Sequence, residues 1–217
     1  MVGFSDLNSA YLAYFVGEPA AVLRHAQDAL EIADQIGNAF SRTYARTFIG
    51  LARALRGEWP EAMAAHESSI DIARAGGLGV EEESRLALLG EACLGAGDAR
   101  RARALVEQAL PMARERGNVW SEVLASTSWA RVLLATGGSD DAARIETELG
   151  RALGLARTTG SKAAEPLIRV ELGELARRRG DEVGCARELR EAHRLFTEIG
   201  AGARAARLEA EQAASMH

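Results

Sequence analysis

Glycine returns along this chain in two interleaved series, and no other feature restricts the fold as tightly. One series falls at Gly17, Gly57, Gly97, Gly137 or Gly138, and Gly180, in steps of 40, 40, 40 or 41, and 43 or 42. The other falls at Gly37, Gly77, Gly117, Gly160 and Gly200, in steps of 40, 40, 43 and 40. Self-similarity at one period of roughly 20–50 residues is the mark of a repeat array, in which each unit is a supersecondary element that buries its apolar face only against its neighbours. Each glycine of the second series follows a matching helix end: LEIADQIG, IDIARAGG, LPMARERG, LGLARTTG and HRLFTEIG. A glycine just past a helix supplies the left-handed backbone that closes it, a conformation a β-branched residue resists. These glycines are structural punctuation.

The stretch Ser41 to Gly77 is the template: a helix, a turn at Gly57-Glu58, a second helix and a closing glycine. On this pattern the chain is one repeat domain, 1–217, with units at about 5–38, 39–79, 80–118, 119–161 and 162–202 and a polar terminal helix at about 203–214 that covers the last exposed face. Ser5 is the expected N-cap of the first helix, and Pro19 opens the second. The fourth unit carries two or three additional residues around Gly137 to Asp140, giving a longer turn with Ser139 or Asp140 as the cap of the next helix. Glu81, Glu82 and Glu83 crowd a helix start, where the helix dipole favours carboxylates.

Composition agrees with helix. Four prolines in 217 residues, among abundant Ala, Leu, Arg and Glu, leave few breaks in residues of low helical cost. The net charge of −5 and the lack of a basic block beyond Arg177-Arg178-Arg179 argue against direct nucleic-acid binding. No apolar run approaches the roughly 18 residues of a membrane span, and residues 1–6 lack a basic and apolar leader pattern, so the expected location is cytoplasmic. Cys93 and Cys185 each sit in an Ala/Leu-rich helical pattern and read as reduced core residues.

Ile49-Gly50, Gly57-Glu58, Ala62 and Ser69-Ile70, then Leu89-Gly90, Gly97-Asp98, Ala102 and Ala109-Leu110, resemble the tetratricopeptide (TPR) pattern: a small residue in the first helix, a glycine and an acid at the turn, and small residues in the second. Gly173, Gly180-Asp181, Cys185 and Ala192-His193 repeat it, and the first unit has Ala10 and Val22 in these places. The spacing near 40 departs from that family's 34-residue period, and the closing proline is missing. The period and the recurring helix ends are similar to repeat regions of bacterial LuxR-type and maltose-activator-type regulators and of ATPase-containing nucleotide cyclases. The resemblance implies an all-α, right-handed TPR-like helical solenoid of five helix pairs plus a C-terminal capping helix. It also implies a module of a larger signalling or transcription-regulatory protein.

Catalytic constellations are not in evidence. His25, His66, His193 and His217 fall at unrelated places in their repeats and form no metal-ligand spacing, and no nucleophile elbow or phosphate loop is present. Ser126 to Ser128 lie on an apolar helical face, where back-bonding to the helix is the expected use. The expectation is a non-enzyme without cofactor or metal.

What remains is binding by shape. First helices of stacked pairs line a concave groove, and aligning the units on their small residue places Tyr11, Leu51, Glu91, Arg131 and Glu174 in one row and Tyr14 and Arg177 in another, with Tyr44 beside them. Such a groove, aromatic at one end and charged at the other, suits an amphipathic peptide, helix or protein segment. A small-molecule inducer is the alternative occupant. Seven of the eleven aromatic residues lie within the first 48 positions, which also allows a homodimer through the first unit. Trp59, Trp120 and Trp129 read as packing residues.

Overall fold

The computed structural model describes residues 2–215, with side chains from Ser5 to Ala213 except Ser139. Helices occupy 85% of the chain, and no strand occurs among the described residues. Five antiparallel pairs follow one another: α1 (Val2–Val16) with α2 (Pro19–Gln35), α3 (Ala39–Leu55) with α4 (Trp59–Ala75), α5 (Glu82–Gly95) with α6 (Ala99–Arg116), α7 (Val119–Thr136) with α8 (Ala142–Thr158), and α9 (Ala164–Arg178) with α10 (Glu182–Glu198). The unpaired α11 (Gly202–Ser215) completes the array.

Nine of the landmark glycines adopt left-handed φ values between +66° and +87°. At Gly57 the closure is complete: the Gly57 N–H donates to the Ala54 carbonyl and the Glu58 N–H to that of Arg53, each at 3.0 Å, the paired bonds that satisfy a helix's last carbonyls. The fourth unit departs from this pattern. Gly137 ends α7 in an extended conformation, φ −87° and ψ 166°, and a 3-10 turn over Ser139–Asp141 leads into α8. Asp141 occupies the cap position there without a side-chain cap bond, and the side chain of Ser139 lies outside the described residues. The expected cap at Ser5 is also displaced. α1 begins at Val2, so Ser5 is inside the helix and its carbonyl accepts a bond from Ser9 Oγ.

Small residues mark where the helices of a pair touch. A Cβ at Gly50 would fall 2.5 Å from His66 Cε1, at Gly90 2.8 Å from Val106 Cγ1, and at Gly173 2.7 Å from Leu189 Cδ2. The partner lies sixteen residues on in each case, so one register serves three units.

Between units the first helices stack: α1 on α3, α3 on α5, α5 on α7 and α7 on α9. Polar side chains repeat across these junctions at one step of 37 residues, from Tyr44 to Glu81, Ser84 to Ser121, and Ser128 to Glu91. Alanine dominates the buried core at the junctions, with Ala10, Ala45, Ala52, Ala87, Ala92, Ala125 and Ala130 all fully enclosed. Close helix approach needs such small side chains, because larger ones would hold the axes apart.

α11 packs on α10 and also reaches α1, so the two ends of the array meet. The curvature is therefore enough to close the concave face into a ring. Among the described residues no helix is long and apolar enough to cross a membrane.

Candidate functional site: a chamber on the concave face

The latch that closes the ring is Arg204. Its Nε donates to the Phe15 carbonyl at 2.9 Å and its Nη2 to the Tyr14 carbonyl at 2.6 Å, while its Cζ lies 4.9 Å from the centre of the Tyr14 ring. The last carbonyls of a helix lack intrahelical donors and carry the negative end of its dipole. A cation from the far end of the chain thus caps α1. Gly17 permits the approach, since a Cβ there would come 2.8 Å from Arg204 Cγ.

Behind the latch is a chamber of ≈ 490 Å³. Its wall is largely apolar, drawn from Phe15, Leu51, Trp59, Leu94, Trp120 and Leu124, with Leu208 of α11 on the closing side. Phe15 of α1 meets Trp120 of α7 at 5.7 Å between ring centres, a contact across the ring and not between neighbouring units. Trp59 reaches the wall from the start of α4 because residue 95 is glycine. A Cβ at Gly95 would collide with the Trp59 indole.

One side of this apolar space is charged. Arg131 on α7 donates through Nη1 to Glu91 Oε2 on α5, and through Nε at 2.8 Å and Nη2 at 2.6 Å to Glu171 Oε1 on α9. Ser128 adds a bond to Glu91 Oε1. Burial opposes the charge on Arg131, but Glu171 and Glu91 outweigh it and hold the guanidinium more firmly protonated than usual. Burial pushes the Glu171 carboxyl above its usual range, with Arg131 pulling it back. Burial likewise raises the Tyr14 phenol, opposed by Arg204. The Arg131 side chain keeps 37% exposure and that of Glu91 21%, while Glu171 is almost wholly covered.

Four of the eight groove residues expected from the sequence line the chamber: Tyr14, Leu51, Glu91 and Arg131. The other four lie elsewhere. Tyr11 is 43% exposed and packs on Phe15 and Phe48, and Tyr44 donates to Glu81 Oε2 at 2.8 Å. Glu174 pairs with Arg177 and Arg178 along α9. The carboxylate that Arg131 takes from α9 is Glu171, 40 positions on, because the three-residue lengthening of the turn between α7 and α8 converts the 37-residue junction step into 40. Trp59 and Trp120 turn out to face the chamber, whereas Trp129 is buried under Arg144. Phe4, part of the aromatic cluster read from the sequence, has its side chain outside the described residues.

Other polar groups noted in the sequence have local roles. Thr127 back-bonds to the Val123 carbonyl as expected, while Ser128 is drawn to Glu91 instead. Cys93 and Cys185 are free and buried. The fold does assemble one group the spacing did not reveal: Asp6, His25 and Asp28 each bring a ligand atom within 4.8 Å of the others. The Arg24 guanidinium sits 3.4 Å from His25 Nε2, a positive charge that opposes a metal cation there.

The sequence matches no family model and no curated protein. Solved structures share its architecture. A Rap protein complexed with Competence and Sporulation Factor superposes over 94% of this chain with a TM-score of 0.63 at 15% identity, and the chain spans 62% of that protein's length. Two structures of a putative kinesin light chain with nearly identical TPR-like repeats, from Podosopora anserina, cover 89% of this chain and are covered over 94% of their own, with TM-scores of 0.54 and 0.53 at 18% identity. At such identities the likeness establishes the fold, an all-helical TPR-like repeat solenoid.

Proposed function

We propose that this chain is a non-enzymatic binding module whose chamber holds a short extended peptide or the exposed end of a partner protein, within a bacterial signalling or transcription-regulatory protein. One observation carries the reading: an aromatic chamber with the Glu91–Arg131–Glu171 trio on one side and Arg204, Arg207 and Glu211 of the last helix on the other, where that helix meets the first. Apolar walls supply affinity through desolvation, and a few placed polar groups fix orientation. The Rap protein that shares the fold was captured with a factor bound, which supports a binding role. The regulatory context rests on the resemblance of the repeat phrases to those of bacterial regulators.

The chamber's size selects the form of the occupant. A volume of ≈ 490 Å³ lies in the range of small-ligand cavities, about 300–1,000 Å³, which suits a few residues of an extended segment. The direct experiment is affinity selection of a phage-displayed random heptapeptide library on the protein, with Leu124→Trp, which fills the chamber from α7, as the counter-target. Sequences that enrich on the first protein and not on the second support the reading; equal enrichment on both removes it.

The same volume supports a second occupant, a small-molecule inducer, because such ligands occupy cavities of about 300–1,000 Å³. A metabolite screen by thermal shift separates the two, since a ligand that binds only the folded chain raises its melting temperature in proportion to the logarithm of its saturation. A compound that stabilises the protein and not Leu124→Trp favours the inducer.

A further inference from the structure

Glu171 stands at the chamber wall with one oxygen that receives no hydrogen bond among the described residues. The residue is 6% exposed and lines the chamber. Its Oε1 accepts both bonds from Arg131, and among the described hydrogen bonds Oε2 receives none. Across the guanidinium, Glu91 already uses one oxygen for Arg131 and the other for Ser128. Arg131 has therefore committed Nε, Nη1 and Nη2, while one of the four carboxylate oxygens it faces is left open.

Charge bookkeeping at this spot points the same way. Two carboxylates share one guanidinium, so the trio is short of one positive charge. The nearby cations are engaged elsewhere: Arg204 caps α1, and Arg207 pairs with Glu211. Burial raises the Glu171 carboxyl, and the neighbouring carboxylates of Glu91 and Glu174 add to the rise while Arg131 opposes it. A buried carboxylate is stabilised by a further donor, and most strongly by a charged one.

We infer that the chamber's ligand carries a primary ammonium or guanidinium group that donates to Glu171 Oε2, with an apolar portion against Trp59 and Trp120. The inference rests on the chamber being the binding site and adds the chemical class of what enters it. A neutral apolar ligand would cover the open oxygen without giving it a partner, and an anionic one placed against Glu171 would meet two carboxylates and a guanidinium already committed to both.

The same heptapeptide selection tests this with separate outcomes. Peptides enriched on the protein and not on Leu124→Trp are expected to share a lysine, an arginine or a required free amino terminus. The best of them is then synthesised with its basic residue replaced by norleucine, and separately with its amino terminus acetylated, which tells the two sources of the cation apart. One replacement is expected to weaken binding tenfold or more to the wild-type protein, and to change affinity less than twofold for Glu171→Gln. Glu91→Gln serves as the second variant, with an intermediate loss, and helical circular dichroism shows that both variants fold. Enrichment of peptides without a cation, or an undiminished effect of the replacement in Glu171→Gln, overturns the cation inference and leaves the chamber reading standing. A selection that enriches nothing overturns the peptide reading and the cation inference together, and leaves the inducer reading to the thermal-shift screen.

Discussion

His66 makes the fold acid-sensitive, and the size of the effect follows from its surroundings. The imidazole is 1% exposed, lies where Gly50 leaves room on α3, and its Nδ1 has no hydrogen-bond partner among the described residues. Burial alone lowers its pKa from 6.5 to about 4, so the folded chain holds it neutral. The unfolded chain takes up a proton near pH 6.5 and the folded chain does so only near pH 4, so the unfolded state binds more protons between these values. Stability from the neutral ring is therefore fully present above about pH 6.5 and is lost as the pH falls through that window. At about 1.4 kcal/mol per unit, the whole loss is about 3 kcal/mol, of which about 2 kcal/mol falls between pH 7 and pH 5. The assay is urea denaturation at both pH values for the wild type and for His66→Met, whose unbranched side chain fills the site without titrating. Carboxylates titrate in both proteins and cancel in the comparison. The expected result is a wild-type stability that falls by about 2 kcal/mol more than that of the variant. Parallel pH dependences would refute the claim that the ring is neutral because it is buried.

Three further outcomes follow. Arg204→Ala removes two charged bonds to α1 carbonyls at a half-buried site, with an expected loss of about 2 kcal/mol in urea denaturation, and Arg204→Lys recovers part of it. The same change opens the ring, so acrylamide quenching of tryptophan emission rises through Trp59 and Trp120 while Trp129 stays shielded. Gly50→Ala forces a methyl group into the His66 ring and costs about 1–3 kcal/mol by thermal or urea unfolding, whereas Gly57→Ala, with open space around it but φ +74°, costs about 1 kcal/mol from backbone strain.

How much of this was legible in the sequence depends on the range of the interaction involved. The turns were legible because a left-handed glycine is a local requirement, and nine of the landmark positions meet it. Gly50, Gly90 and Gly173 were legible as contact points because helix pairing within a unit has a fixed register. Gly137 departs because the longer turn ends α7 in an extended conformation, with no call for a left-handed residue. The chamber was half legible. Row alignment found Glu91 and Arg131 but led to Glu174, since it ranked residues by position in the repeat, whereas charged side chains reach diagonally between neighbouring helices. A 40-residue interval joins Glu91 to Arg131 and Arg131 to Glu171, but only the first is the repeat register; the second is the lengthened register less three residues, which row alignment does not pick out. Arg204, Phe15 and Trp120 carried no register signal. They meet through the accumulated curvature of the array, a sum of small rotations that no window of sequence contains.

The central claim is that ligand binds inside the ring, against Trp59 and Trp120. Acrylamide quenching of tryptophan emission, measured with and without a saturating selected heptapeptide, tests it most directly. The account predicts a fall in quenching when peptide is added to the wild type, and no change with Leu124→Trp, to which the peptide does not bind. Saturable binding with unchanged quenching, at equal affinity for both proteins, would place the ligand outside the chamber and contradict the account.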